Sequence, residues 1–524
     1  MTNPALILLN LNAMKFIVMA RSIASNTAVM FIRTAITMGI SLYTSRLVLL
    51  ALGVTDFGIF SLVATIVSFF TFLNSSLSQG SQRFLNFELG RNNPRMAQEI
   101  FSTSFKIHII IALMTLVIAE TLGLWFLKAQ ANIPPDRMHA ALVVYQLSVI
   151  STLILILQIS YTAAITAMEK FAIFALFDIG FALLRLASAI MLVYVGSDKL
   201  ILYGVLTLLT TFIMTFGKFL YCRFGIDFCR IDSKFNRALF SQISRFTGWG
   251  LFGTFSVVMS TQGAGIVLNV FFGPLLNAAQ SVAVQVANAS STMGGNLQIV
   301  VAPQIVKAYS SGNMIEFQGL IEKSSRFAFF LMLILAVPII VEADFIFTLW
   351  LDKPPDYSVE IAQILLVTTL LTSLSLPLTT AAQASGDIRN YQVVVGSTMI
   401  SSIPISIALL SYGASPLSLF FVNFAAAVIS LVLRIWILKS LVGLDAVSYV
   451  RNTIVPVAIV ASMTAILATA VHAWIPNYSV WPAFGMFGAL ASALLSIWFL
   501  GVKDSEKNWL INSIWTKFVK VGRS

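Results

Sequence analysis

Charge is what this 524-residue chain has least of. Asp, Glu, Lys and Arg make up only 10% of it, and acids are the scarcer half, 21 against 32 basic residues. A soluble core of this size would need far more polar surface than that. Cysteine is nearly missing. Cys222 and Cys229 fall in what reads as a cytoplasmic connection, where a disulfide is unusual and two thiols do not make a zinc site. The three histidines, His108, His139 and His472, have no ligand spacing. No GxxxxGK[ST] loop is present, which argues against ATP-driven transport by this chain alone. No metal or other cofactor is expected.

What is present is apolar length. The chain is 58% hydrophobic with a mean hydropathy of +0.90. A helix needs about 20 mainly apolar residues to span a bilayer. Fourteen stretches qualify, near 27–50, 58–81, 100–123, 138–168, 171–197, 200–222, 246–272, 275–303, 327–350, 357–384, 390–411, 416–438, 450–474 and 478–502. The expected fold class is an all-α polytopic membrane protein with fourteen transmembrane helices.

The net charge of +11 could indicate nucleic acid, so its distribution decides. With the N-terminus in the cytoplasm, 24 Lys and Arg lie in inner segments and only Lys128, Arg137, Lys199 and Lys353 in outer loops. Arg33, Arg46, Lys106 and Arg185 lie inside spans. One missed span would invert every later loop and ruin that ratio, so the positive-inside rule supports both the even count and cytoplasmic termini. No basic stretch carries interleaved aromatics, so nucleic acid is not an expected partner. Residues 4–20 superficially resemble a signal peptide, but Asn10, Asn12 and Lys15 interrupt them and no clear small-residue cleavage site follows. They read as a cytoplasmic leader or an overcalled start.

The chain carries a weak copy of itself. Gly53 and Gly273, Asn93 and Asn313, and Lys106 and Arg326 are each 220 residues apart. Leu124-Trp125 and Leu349-Trp350 end matching helices, and Pro134-Pro135-Asp136 and Pro354-Pro355-Asp356 open the next. Thr162-Ala163-Ala164 recurs as Thr380-Ala381-Ala382. A repeat of six spans returns the chain to the same side, so two six-helix lobes related by a pseudo-two-fold along the membrane normal are expected. The expected organisation is a leader at 1–26, an N-lobe at 27–222 and a linker at 223–245. A C-lobe at 246–440, two appended spans at 441–502 and a basic cytoplasmic tail at 503–524 complete it. Such duplication often serves a gated cavity, though a static scaffold is the plainer alternative.

Ionisable residues within the spans are costly and therefore informative. Arg46 lies seven residues before Gly53, about 10 Å from the outer end, which is far for snorkelling. Arg185 sits near mid-span; a structural pair with Asp178 is its plain reading, although that acid is two turns away. Arg33 and Arg83 are nearer the inner interface, where anchoring explains them. Asp178 is the only central acid and the candidate coupling group. Neutral polar residues form a stripe at Asn277, Ser281, Gln285, Asn288, Thr292 and Asn296, with a shorter set including Asn74 and Ser78. Such stripes can join helices or line a hydrated cavity, and the longer one favours the cavity. Guanidinium groups with amides suit an anionic, hydroxyl-rich solute.

The run Ser45-Arg46-Leu47-Val48-Leu49-Leu50-Ala51-Leu52-Gly53-Val54-Thr55-Asp56-Phe57-Gly58-Ile59-Phe60 resembles the first junction of the polysaccharide transporter family. That family holds the O-antigen and capsule flippases of the multidrug/oligosaccharidyl-lipid/polysaccharide flippase superfamily, with its MATE-like fold. The likeness extends through Gln82-Arg83-Phe84, Glu88-Leu89-Gly90 and Leu268-Asn269-Val270-Phe271-Phe272-Gly273-Pro274. It implies a two-lobe, alternating-access flippase of the bacterial inner membrane. Such a protein moves a polyprenyl-diphosphate-linked oligosaccharide, a surface polysaccharide or lipopolysaccharide precursor, from the cytoplasmic to the periplasmic leaflet. The resemblance places Arg46 on the diphosphate; Arg185, Arg33 and Arg83, singled out by their place in or beside the spans, are further candidates. Glycosyltransferases and a polymerase of the same pathway would be partners beside the lipid-linked substrate and the bilayer. The chain departs from those relatives at Leu47, where they carry an acid, and span 246–272 lacks any carboxylate, which puts a sodium site of their type in doubt. A MATE-type drug antiporter is the main alternative and predicts central carboxylates. A membrane glycosyltransferase, polymerase or ligase predicts a large outer catalytic loop, and none exceeds roughly a dozen residues. The chain is not expected to be an enzyme.

Overall fold

The structure, a computed structural model, describes residues 4–69, 85, 88–89, 93–168, 170–195, 198–231, 236–474, 481–504 and 506–507. Every regular element among them is helical. The chain forms two compact units, Met1–Val258 and Met259–Ser524. Unit 1 begins with α1 (Pro4–Phe69), whose helical geometry is interrupted at Gly53. Then come α2 (Pro94–Ile118), a π turn at Ala119–Gly123, and α3 (Leu124–Ala129). A 3-10 turn at Pro135–Arg137 leads into α4 (Met138–Ala167), α5 (Phe171–Tyr194) and α6 (Lys199–Gly225). The unit boundary falls within α7 (Arg237–Phe272). Unit 2 holds α8 (Pro274–Ser310), α9 (Met314–Val341), α10 (Ala343–Leu351), α11 (Ser358–Ser373) and α12 (Ser375–Ser385). It closes with α13 (Arg389–Ser411), α14 (Leu417–Leu441), α15 (Ala446–Tyr449), α16 (Val455–Trp474) and α17 (Trp481–Ser496).

Among the described residues, twelve helices are long and apolar enough to cross a membrane. Two of the fourteen expected spans are not among them, for different reasons. The second half of span 58–81 lies outside the described residues. Span 275–303 is helical throughout α8, but its polar series keeps it below the apolarity of the others. The protein is multi-pass, and its outward side chains fit that setting: Leu50, Trp125, Phe212, Phe421 and Trp436 stand exposed where lipid would cover them.

Local geometry recurs at the offset read from the sequence. Gly53 takes φ 75° and ψ 168°, and Gly273 takes φ 77° and ψ −170°, a conformation closed to most L side chains. Asn93 and Asn313 both cap helices, each accepting at 3.2 Å from the backbone N–H three residues on, Met96 and Glu316. Each also sends its own N–H to a carbonyl five residues back, Glu88 and Ala308, at 3.1 Å.

Inside unit 1, α4 packs on α6 and α2, and α1 packs on α5. One apolar cluster gathers Ile59, Leu62, Val63, Leu127, Val144 and Tyr145 near the Gly53 junction. The Tyr145 hydroxyl donates to Ala119 O at 2.7 Å, beside the Leu124 N–H that the same carbonyl accepts in the π turn. A Cβ at Gly123 would collide with that hydroxyl, so this position requires glycine. A second cluster gathers Phe101, Ile107, Ile156, Tyr161, Cys222 and Phe228. Cys222 and Cys229 are buried free thiols. The neighbouring Cys222 thiol and burial push the Cys229 thiol above its usual range, away from reactive thiolate.

In unit 2, α9 is the most enclosed of the twelve helices. It packs against α8, α11, α16 and α17. Two side-chain contacts tie later residues to it. His472 Nδ1 lies 2.7 Å from Glu342 Oε1, and Arg326 is paired with Glu506. The closest approaches leave no room for a side chain, since a Cβ at Gly485 would meet Glu342 and one at Gly501 would meet Phe330.

Candidate functional site

Of the charged groups expected inside the first spans, Arg33 and Arg46 lie on α1, Lys106 on α2, and Asp178 and Arg185 on α5. Arg33, on α1, donates from Nη1 to Asp178 Oδ2 on α5 at 2.8 Å and from Nη2 to Thr34 Oγ1 at 3.2 Å. Its guanidinium stands 5.2 Å from the ring centroid of Phe174, one turn before Asp178. Arg33 is therefore a helix-to-helix partner. Asp178 pairs with Arg33; Arg185, seven residues on, is about 10 Å away along α5 and makes no ion pair with it.

Arg185 is half-buried and faces the ring of Phe181 at 5.8 Å. Its Nε is buried without a hydrogen-bond partner among the described residues. Arg46 is half-buried on α1, seven residues before the Gly53 interruption. Arg83, Asn74 and Ser78 lie outside the described residues.

Sequence reasoning misses Lys218. Its position reads as an inner-loop charge, yet it is a helical residue of α6 and only 5% exposed. Its ammonium sits 5.9 Å from the ring centroids of both Phe174 and Phe177. Arg33 and Lys218 thus share the Phe174 ring, and Asp178, their nearby acid, is joined to Arg33. The same correction applies to two residues of unit 2 that read as inner-end charges, Arg326 and Arg434, which are 2% and 9% exposed. The available signal was position: Lys218 and Arg434 each fall seven residues before the end of a span-length helix, α6 and α14.

The polar stripe of α8 divides along its length. Asn277 is 2% exposed, accepts from Asn269 Nδ2 at 2.9 Å and donates to Gly265 O at 2.8 Å. That amide joins α7 to α8 across the Gly273 junction instead of facing an open cavity. Ser281, Gln285 and Thr292 are half-buried, and Asn288 is exposed. Thr292 donates back to Asn288 O at 2.9 Å. Asn296 lies on the same helix, but its side chain is outside the described set.

At the other end of unit 1, Arg137 clamps two acids. It grips Asp56 through Nε at 2.8 Å and Nη2 at 2.6 Å, and Asp198 through Nη1 at 2.9 Å and Nη2 at 3.0 Å. Asp198 also caps α6, accepting from Leu200 and Ile201 N–H. The Arg137 hydrogen bond, opposed by partial burial and helped by those amides, holds the Asp198 carboxyl below its usual range. Leu52, Gly53, Asp56, Pro134, Asp136 and Arg137 surround an open recess of about 450 Å³. Both carboxylates paired with Arg137 are engaged, so this end reads as a brace. Among the described residues, no group of His, Cys, Asp and Glu could hold a metal ion.

No family model matches the chain, and no curated protein matches it by sequence. Solved structures do. The lipid II flippase MurJ, in an inward closed conformation, aligns with TM-score 0.64 over 90% of this chain and 98% of its own, at 12% identity. The MATE multidrug transporter DinF-BH aligns at 0.63 over 80% and 95%, at 12% identity. An inward-facing multidrug resistance MATE family transporter of the MOP superfamily aligns at 0.61 over 78% and 94%, at 13% identity. At these identities the likeness is one of fold: the chain shares the fold of these flippase and transporter structures.

Proposed function

We propose that this membrane protein is a flippase. It carries a polyprenyl-diphosphate-linked oligosaccharide, a surface polysaccharide or lipopolysaccharide precursor, from the cytoplasmic to the periplasmic leaflet of the bacterial inner membrane by alternating access. The observation that carries this reading is the charge set of unit 1. Arg33, Arg46, Arg185 and Lys218 lie on its helices, while Asp178 is joined to one of them. Retained basic groups at membrane depth point to an anionic cargo, and a diphosphate is the part that all lipid-linked sugars share. Arg46 and Arg185 are its proposed ligands, with Arg33 and Arg83 nearer the inner interface. Ser281, Gln285, Asn288, Thr292 and Asn296 would offer the glycan adaptable hydrogen bonds.

The MOP fold supports an ion-coupled MATE-type drug antiporter equally well, since both kinds of protein share it. A cationic drug, however, calls for an unpaired buried carboxylate, and Asp178 is paired. In cells depleted of the protein, lipid-linked sugar should accumulate on the inner leaflet while efflux of cationic dyes is unchanged. Lost dye efflux with normal surface polymer would reverse the choice.

A further inference from the structure

Arg434 lies on α14 and is nine-tenths buried. That helix packs against α11, α12 and α13 of unit 2. Among the described residues its guanidinium meets no acid. Nη1 donates to Thr379 Oγ1 at 2.7 Å and to the Tyr391 hydroxyl, and the Tyr391 ring centroid lies 5.3 Å from Cζ. Thr379 gives its own proton to Ser375 O at 2.9 Å and stands 2.9 Å from the Tyr391 hydroxyl. Both oxygens are therefore wired to receive Nη1 and to hold it in one orientation. Nε is buried with no partner, and among the described residues nothing accepts from Nη2. Three carboxylates elsewhere in unit 2, one buried and two half-buried, are engaged: Glu342 with His472, Glu506 with Arg326, Glu322 with Asn452 and Ser448.

Arginine does not shed its proton. Hydroxyls can orient its charge but cannot balance it, and a buried cation without a counter-charge is strongly disfavoured. The geometry also leaves a particular edge free. Nε and Nη2 are the side-on pair of donors that meets two oxygens of a phosphate group in parallel. We propose that Arg434, held by Thr379 and Tyr391, is an anion site of unit 2 for a phosphate-class oxyanion. Free phosphate and the phosphate of an anionic lipid headgroup share that chemistry. The site is carried by unit 2 alone and does not depend on the flippase reading.

The test uses the full chain in maltoside detergent micelles, which carry no phosphate, following the unfolding temperature. Inorganic phosphate is titrated in one arm, with chloride at matched ionic strength as control, and phosphatidylglycerol is added to the micelles in the other. A ligand that binds only the folded state raises the transition. Wild type is expected to be stabilised by phosphate if the ligand is soluble, or by phosphatidylglycerol if it is a headgroup. Arg434→Gln should weaken that response roughly tenfold or more in concentration. Arg434→Lys, which keeps the charge and loses the edge, should fall between. The proposal is overturned if neither anion acts, if chloride matches phosphate in the absence of a phosphatidylglycerol effect, or if Arg434→Gln responds as wild type. Should that variant fail to accumulate, Tyr391→Phe loosens Nη1 without removing charge. An unchanged response in Tyr391→Phe at wild-type abundance overturns the site equally.

Discussion

Arg33 and Asp178, 145 residues apart in the chain, meet at 2.8 Å and tie α1 to α5. The acid that stands alone in sequence is thus a counter-ion in the structure. Both side chains keep some exposure, so the pair itself is worth about 0.5–1 kcal/mol. Its larger effect is on charge balance beside Lys218.

If Asp178 serves chiefly to hold Arg33, Asp178→Asn should leave export largely intact, because asparagine keeps a hydrogen-bond acceptor for the guanidinium. Arg33→Gln should impair export more, since it strands the carboxylate near an apolar ring. The double variant should recover part of that loss. Export measured across the cycle decides. Complete loss in Asp178→Asn alone, at normal abundance, would make the acid a coupling group and not a counter-ion.

Asp198 separates two contributions at one residue. Asp198→Asn keeps the α6 cap and loses the charge facing Arg137; Asp198→Ala loses both and should cost about 1–2 kcal/mol. Because its folded pKa is depressed, the stabilisation from ionised Asp198 is present above the unfolded value near 3.9. It is lost only as pH falls through the lower folded value. Thermal melts of wild type should therefore show no loss from this group between pH 8 and 5. The gap between wild type and Asp198→Asn should close only below about pH 4.

Gly123 and Tyr145 make a paired test of packing. Gly123→Ala drives a methyl into the Tyr145 hydroxyl and should destabilise by about 1–3 kcal/mol. Tyr145→Phe alone removes one of two hydrogen bonds to Ala119 O, which keeps the Leu124 N–H, a cost of about 0.5–1 kcal/mol. The double variant should be more stable than Gly123→Ala, since the colliding oxygen is gone. Melting temperatures of the four proteins in one detergent check the order, and strict additivity would remove the collision as the cause.

Topology is checked by reporter fusions. Those after residues 130 and 354 should report the exterior, and those near 232 and 520 the cytoplasm. A cytoplasmic signal at 354 would break both the span count and the repeat alignment.

Much of the helical layout was legible because hydropathy and charge act along the chain. Gly53 and Gly273, and the Asn93 and Asn313 caps, are local backbone solutions, so one offset exposed them. Side-chain partnerships were not legible in the same way. Arg33 reaches Asp178 through the packing of α1 on α5, which no spacing encodes. Lys218 and Arg434 read as inner-end charges because only tertiary packing decides that a helix end lies under its neighbours. Asn277 looked like a cavity wall because a hydrogen bond between helices has the same periodicity as a wetted face.

Arg46 remains the residue on which the proposed chemistry turns. It sits about 10 Å from the Gly53 interruption, deeper than an anchor needs to be. The diphosphate is common to every lipid-linked sugar, so its ligand should matter whatever glycan is carried. Arg46→Lys keeps the charge and loses the planar fork, and export should fall only partly. Arg46→Ala should lose a charged phosphate contact worth about 2–5 kcal/mol and stall most substrate on the inner leaflet. Accumulated lipid-linked sugar and surface polymer, each normalised to protein in the membrane, give the measure. Normal export by Arg46→Ala at wild-type abundance would leave Arg46 an interfacial anchor. The same pair of substitutions at Arg185, whose guanidinium meets only the Phe181 ring among the described residues, would then decide whether any deep arginine of unit 1 holds the cargo.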